Sequence, residues 1–377
     1  MDLENEVIKG SKDFINHYIK PHESKIEIEG LPVIDIFKKA GEYGLIAIPL
    51  PEKYGGLGLP YKTFTRVAMM LSKYSGTVAM VLGAHLLATY AILIGGNEEQ
   101  KKEYIPRLAR GELIASFALT EPSTGSDPSA ITTEAVKDED SYIINGTKAF
   151  ITNAGIADIF IVMAKTDRER GARGISAFIV ESQDEGISVG KREEFMALPA
   201  FPNASLVFNN VRVRFFRLLG SEGTGFITAM KTLDIGRIAT GASAVGVSQR
   251  ALEEAAKYSQ ERYISGRPIS SFEIIQSYIA DMAVSIETAK LLVLEAAQKR
   301  DEGAGDLPLY AAMAKYYASK VAVDVSRYAV QIFGGYGCTK GYAVERLYRE
   351  AKMYEIVEGT SEIQKLIISN HILKGVH

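Results

Sequence analysis

The sequence predicts a mainly α-helical protein with a central antiparallel β domain, because the hydrophobic period changes twice along the chain. Residues 1–113 and 227–377 repeat apolar side chains at intervals of three and four, as amphipathic helices do. Between them, residues 114–226 hold short β-branched and aromatic runs bounded by Gly, Asp or Asn. We therefore predict an N-terminal helical domain, a middle β domain and a C-terminal helical bundle with these ranges.

The most apolar part of the N-terminal domain is the stretch from Val78 to Gly96, VAMVLGAHLLATYAILIGG. It has no formal charge over about the length of a membrane span. It also contains Gly83, His85 and Thr89, and the sequence has no second stretch of this kind. We interpret it as a buried helix of a large helical domain.

The middle domain is predicted from short strand-like runs, among them ADIFIVMAKTD, GISAFIVES and ASLVFNNVRVRFF. In SYIINGTKAFITNAG, the pair Asn145-Gly146 lies between two β-rich runs and is typical of a two-residue hairpin. Short, closely connected strands indicate an antiparallel sheet.

The last part of the chain is dominated by long helical patterns. They are SAVGVSQRALEEAAKYSQERY, IIQSYIADMAVSIETAKLLVLEAAQKR and LPLYAAMAKYYASKVAVDVSRYAVQIF, followed by the shorter AVERLYREAKMYEIV and IQKLIISNHILKGV. Long helices with short connections indicate a bundle of antiparallel neighbours.

The composition excludes several classes of protein. The 377 residues are 47% hydrophobic and 24% charged, which is ordinary for a soluble globular protein. The net charge of −3 favours neither nucleic acid nor an anionic membrane as a partner. The one cysteine, Cys338, allows no internal disulfide, and the five histidines lack H-x-x-x-H spacing, so we expect no metal site. The acidic, polar first residues do not resemble a signal peptide, so we expect a cytoplasmic protein.

Two Gly-containing stretches are candidate binding loops. FALTEPSTGSDPSA, from Phe117 to Ala130, places hydroxyls and main-chain N–H groups where they could cradle an anion, although a simple polar turn has the same composition. QIFGGYGCTKG, from Gln331 to Gly341, contains G-x-G but follows a helical run, not a strand, so we reject a Rossmann site. We expect its glycines to end that helix.

The stretch YEIVEGTSEIQ places the carboxylate of Glu358 between an apolar helical run and a turn. Ser361 and Gln364 have the spacing of a capping box, and the preceding helix should end near Val357. Glu358 then lies before the first turn of the following helix. The helix dipole would favour an acid inside that turn, so helix stability does not explain an acid at position 358. An apolar wall would raise its pKa, as suits a general base, whereas the alternative is a loop glutamate that points to water.

Taken together, these stretches resemble the acyl-CoA dehydrogenase family of flavoenzymes. ALTEPSTGSDPSA and QIFGGYG with ERLYREAKMYEIVEGTSEIQ are similar to its two signatures. The resemblance extends over nearly the whole chain, through PEKYGGLGL, GGNEEQKKEYIPRLARGE, GTKAFITNAG and LDIGRIATGASAVGVSQRALEEAAKYSQER. It implies the family fold: an N-terminal helical domain, a β-barrel-like middle domain and a C-terminal four-helix bundle.

The resemblance implies that Glu358 is the catalytic base. It would take the pro-R α-proton of an acyl-CoA thioester while the β-hydrogen passes as hydride to N5 of FAD, giving a trans-2-enoyl-CoA. The resemblance also implies that the developing enolate is stabilised by the backbone N–H of Glu358 and by a ribityl hydroxyl of the flavin.

The resemblance also implies FAD contacts in both later domains. Thr120 would lie near the flavin ring, Ser126 near the phosphates, and Phe150 would pack on the ring. Arg262 and Gln331 would reach the diphosphate and adenine end across a subunit boundary. The implied FAD contacts are Phe117, Leu119, Thr120, Ser126, Phe150, Ile151, Thr152, Arg262, Gln331, Gly334, Gly335, Thr360 and Glu362.

For the substrate, the resemblance implies contacts from Ser126, Asp234, Arg237 and Gly359, with the apolar helix Val78–Ile94 lining the acyl pocket. Several positions depart from the family pattern and leave the acyl group undetermined. They are Phe150 for tryptophan, Val357 for tyrosine, Ser265 for phenylalanine, Glu273 for glutamine and Pro199 for arginine.

The implied partners are an acyl-CoA substrate, an electron-transferring flavoprotein and other copies of the chain in a homotetramer that is a dimer of dimers. We expect no nucleic acid partner and no membrane insertion. Three alternatives stay open: an acyl-CoA oxidase, a glutaryl-CoA-type decarboxylating dehydrogenase, and a non-catalytic acyl-CoA-binding or assembly subunit. The decarboxylating enzyme needs a cation in the acyl pocket, which Val78–Ile94 lacks.

Overall fold

A computed structural model of the chain describes residues 2–374, so the ends of the predicted domain ranges, residue 1 and residues 375–377, lie outside it. The predicted order of helical, β and helical parts is confirmed. The first part consists of α1 Leu3–Phe14, α2 Glu23–Glu27, α3 Ile34–Glu42, α4 Tyr61–Ser72, α5 Gly76–Gly95 and α6 Glu98–Ala109.

The middle part is a mostly antiparallel sheet. Its strands are β1 Ala115–Ala118, β2 Glu134–Asp138, β3 Ser141–Thr152, β4 Ile159–Lys165, β5 Ile175–Glu181, β6 Ile187–Arg192, β7 Asn203–Arg214 and β8 Leu218–Leu219. The order is β6-β7-β3-β2-β4-β5-β8, and β1 pairs with β4 in parallel. The parallel pairing brings the loop after β1 beside the central strands.

The last part is a helical bundle. It contains α7 Gly225–Glu261, the short ribbon β9 Tyr263–Ile264 and β10 Arg267–Pro268, α8 Glu273–Asp301, α9 Leu307–Phe333, α10 Ala343–Tyr354 and α11 Ser361–Lys374. Helix α9 packs against α7, α8, α10 and α11, which buries most of its small residues. It ends at Phe333 before Gly334, which has φ +61°, so the helix end predicted at these glycines is confirmed.

Helix α5 connects the three parts, since it packs against α4 and α6, against β1 and against α7. It is long and apolar enough to cross a bilayer, but most of it is buried inside the protein, as predicted. The Nδ1 of His85 accepts the Ala115 N–H at 3.0 Å, and its Nε2 lies 3.1 Å from the Leu108 carbonyl. Burial lowers the pKa of His85 to about 4, so the ring is a neutral link between α5 and the sheet.

The hairpin predicted at Asn145-Gly146 is wrong. Both residues lie inside β3, and the turn before β3 is at 139–140, where Glu139 has φ +53°. A Cβ at Gly146 would lie 2.5 Å from the Oγ1 of Thr133, and the pairing of β3 with β7 shifts register beside it. The glycine is therefore needed for a bulge and a close approach of the chain, not for a turn.

A buried ion pair joins β3 to the loop after β1. The Nζ of Lys148 lies 2.8 Å from the Oε1 of Glu121, and both side chains are almost fully buried. Nζ also donates to the Leu119 carbonyl at 3.0 Å, and the carboxylate accepts the N–H groups of Thr132 and Thr133. Burial lowers the pKa of Lys148 to about 8. Burial also tends to raise the pKa of Glu121, but the charge of Lys148 and these hydrogen bonds outweigh it and lower that pKa to about 2. Both groups are charged at neutral pH, and they fix the loop.

Replacing Lys148 with Met should destabilise the protein strongly, because the Glu121 carboxylate would stay buried without its cation. We expect the free energy of unfolding in urea to fall by about 3–5 kcal/mol. The control is Lys137→Met, since Lys137 forms an exposed pair with Glu222, and its loss should change the stability by about 1 kcal/mol or less. Equal effects of the two substitutions would contradict this account.

Candidate active site

The turn that carries Glu358 begins earlier than the sequence predicts. Helix α10 ends at Tyr354, not near Val357, and the chain turns before α11 starts at Ser361. Glu358 has φ +55° and Gly359 has φ +89°. A non-glycine residue in the left-handed region carries about 1–2 kcal/mol of strain, so the surrounding contacts must hold it there.

The predicted capping box of Ser361 and Gln364 is also wrong. The Oγ1 of Thr360 lies 3.4 Å from the Ile363 N–H, and the Thr360 carbonyl accepts the first backbone bond of α11, from the Gln364 N–H. The Nε2 of Gln364 instead donates to the carbonyls of Glu358 (3.2 Å) and Gly359 (2.9 Å). Gln364 therefore holds the turn before its helix instead of closing the first turn of that helix.

The carboxylate of Glu358 points into the protein. Its Oε2 is buried and has no hydrogen-bond partner within residues 2–374. A Cβ at Gly236 on α7 would lie 2.7 Å from this oxygen and 2.9 Å from the Cδ1 of Leu87 on α5. Burial raises the pKa of Glu358, and the charges of Arg237 and Lys315 oppose that shift. The group is a carboxylate of increased basicity in a mostly apolar wall.

Asp234 and Arg237 form an ion pair one helical turn apart on α7. The Nη1 of Arg237 lies 2.6 Å from the Oδ1 of Asp234, and both side chains are nearly buried. The Nε of Arg237 is buried and has no partner among the described residues. Burial raises the pKa of Asp234, and Arg237 opposes this. A buried guanidinium with an unused donor therefore lies beside the Glu358 turn.

One face of α5 is partly open in the middle of the helix, in addition to the exposed end at Ile94. Met80, Gly83 and Ala84 are only half-buried, and Leu87, one turn further, approaches Gly236. A Cβ on Gly83 would find only the Cβ of Ala239 within 4 Å. This face, which we name the α5 stripe (Met80, Gly83, Ala84 and Leu87), is apolar and uncharged. Its Leu87 end lies at the side of the Glu358 carboxylate.

The sheet places an aromatic side chain on its surface at Phe150. The pairing of β3 with β7 shifts between Lys148 and Ile151, and Phe150 has φ +56°, so a bulge turns its ring outward, 58% exposed. The Ala149 N–H donates to the Thr120 carbonyl at 2.9 Å, which brings the loop after β1 beside this ring.

Other predicted FAD contacts cluster around the same bulge. Phe117 and Thr152 are half-buried, and the Ser116 hydroxyl donates to the Thr152 carbonyl. Leu119 and Ile151 have buried side chains, so only their main chain could meet a ligand. Ser126 is exposed farther along the loop after β1.

A second candidate FAD region lies at one end of the bundle. Arg262, Gln331, Gly334 and Gly335 line one cleft of about 660 Å³, together with Phe272 and other apolar side chains. A cleft of this size with a guanidinium, an amide and exposed glycine backbone fits the diphosphate and adenosine of a dinucleotide cofactor.

The predicted site residues therefore fall into three groups. The groups are the β-bulge around Phe150, the turn at 358–362 with Asp234 and Arg237, and the cleft at Arg262. Glu362 is exposed beside Thr360. A hydrogen bond from the backbone N–H of Glu362 and, more weakly, one from the Thr360 hydroxyl lower the pKa of the Glu362 carboxyl.

The sequence reasoning missed four contributors: Lys315, Gln364 as a clamp, Gly236, and the Lys148–Glu121 pair. Lys315 had a usable signal, because it occupies a core position of the helical pattern AAMAKYYASKV.

Family models match all three parts of the chain. The models are the N-terminal, middle and C-terminal domains of acyl-CoA dehydrogenase, and they match residues 2–112, 116–211 and 223–373. A short-chain specific acyl-CoA dehydrogenase of Clostridium acetobutylicum is 45% identical over 367 residues, 96% of each chain. The caffeyl-CoA reductase-Etf complex subunit CarC of Acetobacterium woodii is 40% identical over 341 residues, 90% of each chain.

Solved structures give the same result. Butyryl-CoA dehydrogenase from Megasphaera elsdenii is similar with a TM-score of 0.96 and 38% identity, covering 99% of this chain and 98% of that chain. An acyl-CoA dehydrogenase from Bacillus anthracis complexed with FAD has a TM-score of 0.91 and 33% identity, covering 100% of this chain and 68% of that chain.

Replacing Gly236 with Ala should displace the Glu358 carboxylate while leaving the fold intact, because the three atoms nearest to the new methyl group all lie at the ends of two flexible side chains, Glu358 and Leu87. We expect reduction of bound flavin by acyl-CoA to slow by about 10- to 100-fold, with an unchanged melting temperature. The control is Gly241→Ala on the same helix, whose Cβ would meet Val293 and Ala314 instead. Equal rates for both variants would show that position 236 does not hold the carboxylate.

Proposed function

This chain belongs to the acyl-CoA dehydrogenase family, and we propose that it desaturates an acyl-CoA thioester between the α and β carbons with Glu358 as the α-proton base. The product would be a trans-2-enoyl-CoA. The observation that carries the proposal is the Oε2 of Glu358. This carboxylate oxygen is buried, has no hydrogen-bond partner in the described part of the chain, and lies beside an uncharged wall that could hold an acyl chain.

The cofactor of this family is FAD, which accepts the β-hydrogen as hydride when it is bound. The outward ring of Phe150 offers a flat apolar surface for stacking. The cleft at Arg262 and Gln331 offers donors for a diphosphate. The Lys148–Glu121 pair would keep the Thr120 loop in place beside that ring.

Glu358 must be ionised and basic to take an α-proton. Burial favours the neutral acid and so increases the basicity of the carboxylate, while Arg237 and Lys315 keep the charged form accessible. An acid with a pKa near its ordinary value would be a weak base toward the α-carbon. The balance of burial against two cations suits the reaction.

The enolate that forms needs hydrogen-bond donors at the thioester oxygen. Within residues 2–374, the backbone N–H of Glu358 donates to no protein group. We propose that this N–H binds the thioester oxygen, which places base and donor on the same residue. The left-handed conformation of Glu358 sets the direction of that N–H relative to its side chain.

We propose that the acyl group lies along the α5 stripe and that short acyl-CoA thioesters are the first substrates to test. The stripe carries no charge, so the decarboxylating alternative has no cation there. The two relatives described as short-chain specific and as butyryl-CoA dehydrogenase support a short chain. Anaerobic titration with straight, branched and aromatic acyl-CoAs, followed by flavin absorbance, would rank them.

We propose an electron-transferring flavoprotein as the electron acceptor and a cytoplasmic homotetramer as the working form. A relative that is a subunit of a reductase-Etf complex supports the acceptor. Exposed Ile274, Val284 and Leu291 along α8 offer apolar surface for a subunit contact. Turnover with oxygen alone, with peroxide as product, would indicate the oxidase instead.

Glu358→Gln should retain FAD and lose reduction of the flavin by acyl-CoA, because the amide cannot accept the α-proton. We expect the rate of flavin bleaching in anaerobic stopped flow to fall by roughly 100- to 10 000-fold. The control is Glu295→Gln, at an exposed position of α8, which should bleach at the normal rate. Normal bleaching by Glu358→Gln would refute the assignment of the base.

A further inference from the structure

Lys315 is a fully buried lysine in the middle of α9, and the reaction described above gives it no contact with substrate. Its side chain has no exposed surface, and its Nζ donates to the carbonyls of Gly359 at 2.7 Å and Glu355 at 3.1 Å. These two carbonyls lie on either side of Glu358. A buried ammonium that binds only main-chain oxygen is expensive, so its position needs a reason.

No carboxylate lies within ion-pair distance of Lys315 among the described residues. Burial lowers its pKa to about 8, and the charges that favour the ammonium come first from Glu358, then from Glu355 and Glu362, while Arg237 opposes it. The largest electrostatic partner of Lys315 is therefore the proposed base, at a longer range than a salt bridge.

The turn that Lys315 binds is strained and is held from two helices. From α9, the Ser319 hydroxyl donates to the Tyr354 carbonyl at 2.9 Å, one turn beyond Lys315. From α11, Gln364 donates to the carbonyls of Glu358 and Gly359. Lys315 is the charged member of this set. With its two bonds, it spans the part of the turn that contains the left-handed residues.

We propose that Lys315 is a positioning residue that clamps the base turn through the Glu355 and Gly359 carbonyls and keeps the Glu358 carboxylate ionised and aimed at the α-carbon. The inference rests on the proposed function. It separates two effects of one side chain: its hydrogen bonds fix the turn, and its charge favours the anionic form of Glu358 over the neutral acid.

The groups that face Glu358 make the effect of the charge testable. They are Arg237 from α7, with Asp234 beside it, Lys315 from α9, and Tyr61 from α4, whose raised pKa reflects burial and, more weakly, Glu358. Glu362 from α11 is exposed and acts on Lys315 instead. Helix α5 contributes no charged side chain to this region. Removing the Lys315 cation leaves Arg237 as the remaining cation, so protonation of Glu358 should shift to higher pH.

The experiment compares Lys315→Met, Lys315→Gln and Lys320→Met holoenzymes. Methionine removes charge and hydrogen bonds, whereas glutamine removes the charge and keeps an amide donor. Lys320 is an exposed control on the same helix, bonded to Asp324. We measure FAD content, melting temperature, the rate of anaerobic flavin reduction by butyryl-CoA against pH, and the infrared carboxyl band of Glu358 identified by subtraction of Glu358→Gln.

We expect Lys315→Met to keep its FAD and to reduce the flavin about 10- to 100-fold more slowly at neutral pH. The acidic limb of its rate profile and the infrared titration of Glu358 should both move to higher pH. Lys315→Gln should show the same movement with a smaller loss of maximal rate, and Lys320→Met should match the unmodified enzyme.

Three results would overturn the proposal. The first is an unmodified rate and pH profile in Lys315→Met. The second is a loss of FAD and of thermal stability with an unshifted pH profile in the remaining holoenzyme. The third is failure of both Lys315 variants to give folded protein. The second and third results would show that Lys315 serves the fold alone. The Glu358→Gln result is independent: if that variant bleaches normally, the proposed function fails, whereas normal Lys315→Met with inactive Glu358→Gln refutes only this inference.

Discussion

The structure depends on one constraint: a carboxylate must be buried beside an apolar wall and still be able to carry its charge. Burial at Gly236 and Leu87 favours the neutral acid of Glu358, and the nearby cations of Arg237 and Lys315 favour the anion. Neither cation forms a hydrogen bond with the carboxylate. Such a bond would stabilise the anion and make the carboxylate less basic. Because Arg237 and Lys315 offset the effect of burial from beyond hydrogen-bonding distance, Oε2 has no hydrogen-bond partner within the described residues.

This balance needs contributions from all three parts of the fold. The turn belongs to the last helices, the facing surface to α7, the uncharged wall to α5, and the outward aromatic ring at Phe150 to the sheet. Helix α5 touches each of the other parts, and its links to the sheet run through His85 and through Asn153, whose amide donates to the Val81 carbonyl. The helix thus sets the distance between the wall and the sheet surface.

The order of helical, β and helical parts was predictable from the hydrophobic period, and many of the candidate site residues were predictable from the two signatures. The family resemblance is confirmed by the models of the three domains. Contacts between distant segments were not predictable. Asn145-Gly146 looks like a hairpin because local preference cannot show that Thr133 packs against the glycine. Gln364 looks like part of a cap, since the carbonyls that it binds belong to a turn whose direction depends on tertiary packing.

The lack of charge on α5 also affects how the chain is made. Its cover, α7, begins at residue 225, about 130 residues after α5 ends at residue 95. At 5–20 residues per second, the ribosome needs roughly 7 to 26 s to synthesise that interval. Throughout that time an uncharged helix of membrane-like apolarity has emerged without α7, one of the elements that cover it together with α4, α6 and β1. The nascent chain should therefore depend on chaperones at this stage, and a fragment that stops before α7 should aggregate.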